Sequence, residues 1–267
     1  MELRMTKDYV EYAKKMKSRF LEGFAAVVTG SSKGIGREIA ETFAELGAKV
    51  MVCANKNAED AEDVCRRIRA KGGVCELFQG DLGINAEAKS LVEKTVSAFG
   101  GIDILVNNAG ITDPRHFSLL TEDDWDKLEK ANMKSAFNCV HHAMPYLEKS
   151  DMARILNMSS VCGKSGGLGA GAHYCANKAG IIGFTKALAN QYAPKGILVN
   201  SIAPAMIDTE MITWRTPEQM EAVIAKVPLG RIGKRAEVSW AAAFLCSPFA
   251  SFITGYTMDI NGGLYMD

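Results

Sequence analysis

The stretch FAAVVTGSSKGIGREIAETFAELGAKVMVCA, residues 24–54, decides the fold. A short apolar run at 24–29 is followed by a glycine-rich turn, helical periodicity from Ile35 to Leu46 and a second apolar run at 49–54. Runs of that length suit strands and a period near 3.6 residues suits a helix, so the stretch reads strand, helix, strand. In the turn, glycines at 30, 34 and 36 let the backbone approach a ligand. The free amides and positive dipole of the helix that follows favour an anion such as a pyrophosphate. The spacing is G-x-x-x-G-x-G rather than the more general G-x-G-x-x-G, so taken alone it leaves a plain tight turn open.

Working outward, further apolar runs occur at 74–79, 103–108, 153–159, 197–203 and 256–260, with helical stretches such as Ala58 to Lys71 and Ala86 to Phe99 between them. This alternation predicts an α/β protein: a doubly wound, Rossmann-type, parallel seven-stranded sheet with helices on both faces. Ligands of such sheets sit beyond the carboxyl ends of the strands, where the winding reverses. The second strand ends in CANKNAED. An acid there would accept from ribose hydroxyls, whereas a basic side chain suits a 2′-phosphate. Asn55 and Lys56, with Lys33 in the glycine turn, favour NADP(H), with NAD(H) kept open; the plainer alternative is that both lysines are solvated surface charges.

The chain has 267 residues, 48% of them apolar, which suits one large core. No linker, repeat or low-complexity tract divides it, so residues 23–267 are expected to form one dinucleotide-binding domain. Residues 1–22 stand apart: Tyr9, Tyr12 or Ala13, Met16 and Phe20 share a stripe behind a Thr6 cap, which predicts an N-terminal helical extension. Lysine plus arginine balances aspartate plus glutamate at 31 each, leaving no field to hold nucleic acid or an anionic membrane. The charged N-terminus is unlike a signal peptide, and no apolar run approaches the roughly 18 residues of a membrane span. Seven scattered cysteines without metal-ligand spacing suit a reduced, cytoplasmic protein that holds no metal.

Five motifs then fall in order: TGSSKGIG (29–36), NNAG (107–110), NMSS (157–160), YCANK (174–178) and NGGLYM (261–266). Through them, from about residue 21 to the end, the chain resembles the short-chain dehydrogenase/reductase family. NNAGIT, PLGRIG and FITGYTMDINGG bring it nearest to the bacterial 3-oxoacyl-acyl-carrier-protein reductases within that family. The resemblance implies NAD(P)-dependent interconversion of a ketone and a secondary alcohol by a homotetramer. It makes Tyr174 the acid/base, Lys178 its partner and a ligand of the nicotinamide ribose, Ser160 the donor to the substrate oxygen, and Asn132 a link from the lysine to solvent through water. Gly30, Gly34 and Gly36, with Ser32, Lys33 and Ile35 among them, would hold the phosphates. Asp81 and Leu82 would meet adenine, Asn108, Ala109 and Gly110 would line the adenosine side, and Pro204, Ile207 and Thr209 would face the nicotinamide.

Physical chemistry supports the pairing of Tyr174 with Lys178. Side chains four apart on a helix are neighbours. A phenol of ordinary pKa near ~10 is a poor base, and a nearby cation lowers it. Departures accompany the resemblance. Ser160 lies one residue further from Tyr174 than it implies, making Ser159 an alternative and Ser165 a decoy, while Asn177 and Ala205 replace the usual residues. His141, His142 and His173 read as structural, and Cys162 and Cys175 as fillers. Met206, Met211, Ile212 and Trp214 form an apolar segment suited to covering a hydrophobic substrate, or simply to packing on the core. Asp151 and Lys195 stand where the carrier-protein reductases place two docking arginines; an anion there argues against a carrier-protein partner. The first substrate to test is therefore a hydroxysteroid. Alternatives are 3-oxoacyl-carrier-protein reduction, sugar or polyol dehydrogenation, and a non-catalytic cofactor-binding scaffold.

Overall fold

Each apolar run becomes a strand, in a computed structural model that describes residues 19–167, 169–213 and 216–267. The strands are β1 (Ala25–Val28), β2 (Lys49–Ala54), β3 (Val74–Gln79), β4 (Ile104–Asn107), β5 (Arg154–Met158), β6 (Leu198–Pro204) and β7 (Thr257–Ile260). They form one seven-stranded sheet in the order β3-β2-β1-β4-β5-β6-β7, every pair parallel. The helices are α1 (Gly34–Glu45), α2 (Ala58–Ala70), α3 (Asn85–Phe99), α4 (Glu122–Glu129), α5 (Ser135–Leu147), α6 (Cys162–Ser165), α7 (Ala172–Tyr192), α8 (Pro217–Ile224) and α9 (Arg235–Leu245).

Successive strand residues serve opposite faces. Ala26 and Val28 join Val50, Val52 and Ile104 in a core layer covered by Phe43 of α1, Ile68 of α2 and Val238 of α9. Val27 joins Met51, Cys53 and Leu105 in the other, under Leu91 of α3, Leu147 of α5 and Leu188 of α7. Because both faces are buried, the strands read as unbroken apolar runs rather than alternating ones. The winding reverses between β1 and β4, and the crevice beyond their carboxyl ends is where the motifs gather.

Between α4 and α5, Lys130–Lys134 form a single π-helical turn, a wider coil that admits one extra residue and buries Asn132. At the amino end Leu21 is fully buried and its N–H bonds to the Leu46 carbonyl at 3.0 Å. The Phe20 ring meets Phe249 edge-on at 5.5 Å. The remainder of the predicted stripe, Tyr9, Tyr12, Ala13 and Met16, lies outside the described residues, as does the Thr6 cap.

Candidate active site

The turn after β1 is built around missing side chains. Gly30 and Gly34 hold φ of +62° and +59°, in the left-handed region that penalises a Cβ. At Gly36 a Cβ would lie 2.3 Å from both the Gly30 carbonyl oxygen and Asn108 Nδ2. The turn is sewn to the NNAG loop by Thr29, whose Oγ1 accepts from the N–H groups of Asn108 and Ala109, both at 2.9 Å. Asn108 Nδ2 returns bonds to the carbonyls of Thr29 (2.9 Å) and Gly30 (3.0 Å). Its side chain thus shapes the cradle from within.

This cradle fits a dinucleotide. It lies at the amino end of a twelve-residue helix whose first-turn amides face it, and no acid occupies that first turn. Lys33 is exposed at the N-cap position, Ser32 and Ile35 are partly exposed, and Asn55 and Lys56 are exposed beyond β2. Asp81 is more committed than the resemblance implies. Its carboxylate pairs with Lys130 at 2.8 Å and accepts from the Gly83 N–H at 3.0 Å. Lys130 is the main reason its pKa falls below the usual carboxylate range. The Leu82 side chain is buried, and its carbonyl accepts from Asn138 Nδ2 at 2.9 Å.

Tyr174 and Lys178 stand one turn apart near the start of α7, with Lys178 Nζ 5.7 Å from the phenol ring centroid. The lysine is buried and donates to the Met158 carbonyl at 2.7 Å. Burial pulls its pKa down to about 8. The phenol moves opposite to the sequence expectation. Burial pushes it well up, the Cys162 thiol adds to the rise, and a hydrogen bond with Ser160 offsets part of it. The lysine one turn away does not overcome that desolvation.

The two adjacent serines divide their work. Ser160 Oγ accepts from the Cys162 N–H at 3.2 Å and reaches the Pro204 carbonyl at 3.5 Å, beside the Tyr174 hydroxyl. Ser159 points away and donates to the Lys178 carbonyl at 2.8 Å, fastening the end of β5 to α7. Ser165 turns back to the Val161 carbonyl at 3.0 Å. Asn132 clamps the NNAGI segment: its Oδ1 accepts from the Ile111 N–H at 2.7 Å and its Nδ2 donates to the Ile111 carbonyl at 3.0 Å. Both ends of the amide expected to serve the water link are therefore engaged with Ile111. A Cβ on Gly110 would meet Asn132 Oδ1 at 2.8 Å and Lys178 Nζ at 3.6 Å, so the three residues converge on one point.

The segment after β6 crosses over the glycine turn. Ile207 is buried and bridges to Gly233, while Thr209 and Glu210 lie 3.6 Å from where a Gly34 Cβ would be. Met206 is half-buried, Met211 is exposed, and Trp214 lies outside the described residues. His141 stacks on Phe137, and His173 is buried with Nε2 3.6 Å from Asp113. Among the described residues no cluster of three or more metal-ligating side chains occurs.

Sequence reasoning missed Thr29, Lys130 and a buried polar chain in which Asn107 Nδ2 bonds Asn157 Oδ1 (2.8 Å) and Asn157 Nδ2 bonds Thr185 Oγ1 (2.9 Å). The signal for that chain was present: an amide at the end of a strand buried on both faces must find a partner.

Backbone shaped for a pyrophosphate at one end of the crevice, with a protonated phenol and a serine hydroxyl at the other, describes a Rossmann-type oxidoreductase that works with a dinucleotide. The family model described as "Enoyl-(Acyl carrier protein) reductase" matches residues 30–265. The 3-oxoacyl-[acyl-carrier-protein] reductase FabG of Staphylococcus aureus is 40% identical over 242 residues, 91% of this chain and 98% of that protein. Its namesake from Vibrio cholerae is 41% identical over 92% of this chain and 99% of its own. A short-chain dehydrogenase from Burkholderia cenocepacia, crystallised in complex with NADP, superposes with a TM-score of 0.87 at 33% identity, covering 92% of this chain and 99% of that one. A Brucella melitensis structure described as a short-chain dehydrogenase/reductase, glucose/ribitol dehydrogenase, gives 0.87 at 34% identity, over 94% of this chain and 100% of its own. The chain belongs to the short-chain dehydrogenase/reductase family. It is accordingly an NAD(P)-dependent oxidoreductase acting on CH–OH or C=O groups.

Proposed function

We propose that the protein is an NADPH-dependent 3-oxoacyl-[acyl-carrier-protein] reductase, converting a 3-oxoacyl thioester into its 3-hydroxyacyl form. The observation that carries this reading is identity of about 40% along nearly the whole length of enzymes bearing that name. Lys33 and Lys56, with no acid at residues 55–58 directly after β2, support NADP(H) over NAD(H), as does the NADP in the Burkholderia relative.

When bound, the nicotinamide supplies the hydride. Ser160 donates to the ketone oxygen and holds it beside Tyr174, where negative charge develops. A phenol pushed up by burial keeps its proton at neutral pH, which suits a donor in the reductive direction. Lys178, titrating near 8, can return a proton to the phenolate. Asn132 fixes the Gly110–Ile111 wall against which these groups are set.

The relatives' names outweigh the objection raised by Asp151. Lys195 remains exposed, in an ion pair with Glu148 at 2.6 Å. The Staphylococcus and Vibrio relatives bear the 3-oxoacyl reductase name, and that reading replaces the hydroxysteroid one. A ketose stays in the test because of the Brucella structure's description. Homotetramer assembly is part of the proposal, supported by large apolar side chains left exposed, among them Phe117, Leu119, Phe137, Trp240, Phe249 and Phe252. So is a cytosolic location, which suits seven cysteines that are all free thiols.

The test is oxidation of NADPH and NADH against acetoacetyl thioesters on coenzyme A and on acyl-carrier protein, several keto-steroids and several ketoses. Thioester turnover with NADPH is expected, faster on the carrier protein. Steroid or ketose turnover without thioester turnover would overturn the reading.

A further inference from the structure

Two thiols lie against the catalytic hydroxyls. Cys162 opens α6 and its N–H donates to Ser160 Oγ; Cys175 follows Tyr174 directly. Their sulfurs converge beside Gly167. From the point a Cβ on Gly167 would occupy, Cys175 Sγ is 2.8 Å away and Cys162 Sγ 3.6 Å away. The thiols also interact directly: Cys175 is raised first by burial, then by the charge of Cys162 and a hydrogen bond with it. Cys175 donates its S–H to the Gly166 carbonyl at 3.1 Å.

Accessibility singles this pair out. Cys162 and Cys175 are partly exposed, whereas the other five cysteines are buried. Cys65 and Cys75 also touch, but they are 0% and 3% exposed. With no cluster of three metal-ligating side chains among the described residues, two adjacent thiols suit a bond to each other better than a shared metal.

We infer that Cys162 and Cys175 form a redox modification site, at which a hydroperoxide joins them into a disulfide that ties α6 to α7 and stops turnover. The Cys162 thiolate attacks the peroxide O–O bond, giving a sulfenic acid and releasing hydroxide, which takes up a proton to become water. Cys175, its proton passed to the departing oxygen, then attacks the sulfenic sulfur and expels a second water. In sum, two thiols and one hydrogen peroxide give one disulfide and two waters; the sulfurs lose two electrons and the peroxide gains them. A dithiol reductant reverses the bond by exchange. Ser160 and Tyr174 must address one substrate oxygen together, and their near neighbours would now be covalently joined. The loss of turnover rests on the proposed roles of those two residues; the covalent linkage does not.

The experiment exposes fully reduced protein to hydrogen peroxide, blocks remaining thiols with iodoacetamide, and maps cysteine peptides by mass spectrometry beside NADPH-linked activity. Expected is a linked pair of peptides carrying Cys162 and Cys175, two hydrogens lighter than their sum. Activity should fall at least tenfold on the same time course and return with dithiothreitol. Cys162→Ser and Cys175→Ser should each retain activity through the treatment. Separate alkylated or singly oxidised peptides would overturn the inference even if no substrate had been found, and a linked pair with full activity would overturn its regulatory half.

Discussion

Replacing Lys178 with methionine tests the electrostatics of the site apart from its chemistry. The lysine is buried, and its pKa falls from an ordinary 10.5 to about 8. That gap corresponds to about 3 kcal/mol of destabilisation when the ammonium carries its charge in the cofactor-free fold. Below about pH 8 the wild type bears the whole cost. Through the window up to 10.5 the unfolded chain binds more protons than the folded one, so stability rises with pH until the cost is gone. Methionine removes the cost but strands the Met158 carbonyl, an offset of about 1 kcal/mol. Lys178→Met should therefore be the more stable by about 2 kcal/mol at pH 7, and lose that advantage by pH 10.5. Urea denaturation without cofactor, at one protomer concentration and a series of pH values, measures the difference; other titrating groups largely cancel between the two proteins. Parallel stability profiles, or a wild type that loses ground as pH rises, would refute the reasoning.

Tyr174→Phe should abolish turnover while NADPH affinity, followed by fluorescence titration, changes less than about threefold. Ser160→Ala should lower kcat by about a hundredfold or more with little change in stability. Its neighbour Ser159→Ala should mainly cost about 1 kcal/mol of stability, because only a tether to the Lys178 carbonyl is lost. Gly36→Ala drives a methyl group into the Gly30 carbonyl. It should destabilise the fold by about 1–3 kcal/mol and weaken NADPH binding together, read by calorimetry with and without cofactor. Thr29→Val leaves the N–H groups of Asn108 and Ala109 without their acceptor. A loss of about 2–4 kcal/mol is expected in chemical denaturation.

Strands were legible because a parallel sheet buried on both faces leaves a continuous apolar run, and β2 and β3 fall on the predicted residues. The placement of the motif residues around one crevice was legible because glycine in a cradle and tyrosine before lysine on a helix are set by local geometry. What escaped is made of contacts between residues far apart in sequence. Nothing near Asp81 announces Lys130, and nothing near Thr29 announces that one hydroxyl will hold two amides of a loop nearly eighty residues on. The shift of the Tyr174 phenol escaped for a related reason. A pairwise rule sees the lysine one turn away, whereas the balance is struck by how much water the whole crevice excludes.

The π-helical turn at Lys130–Lys134 makes the site sensitive to chain length as well as to side-chain identity. A substitution there changes one group, whereas deleting a single residue would close the wide coil into an ordinary α-helical turn and shift Asn132 relative to α5. The face of α5 that packs under the sheet and the amide that grips Ile111 could then no longer be satisfied together. Surface loops of this protein should accept insertions and deletions that this coil does not, so a scan of single-residue deletions would mark the whole coil as an active-site determinant where a scan of substitutions marks chiefly Asn132 and Lys130.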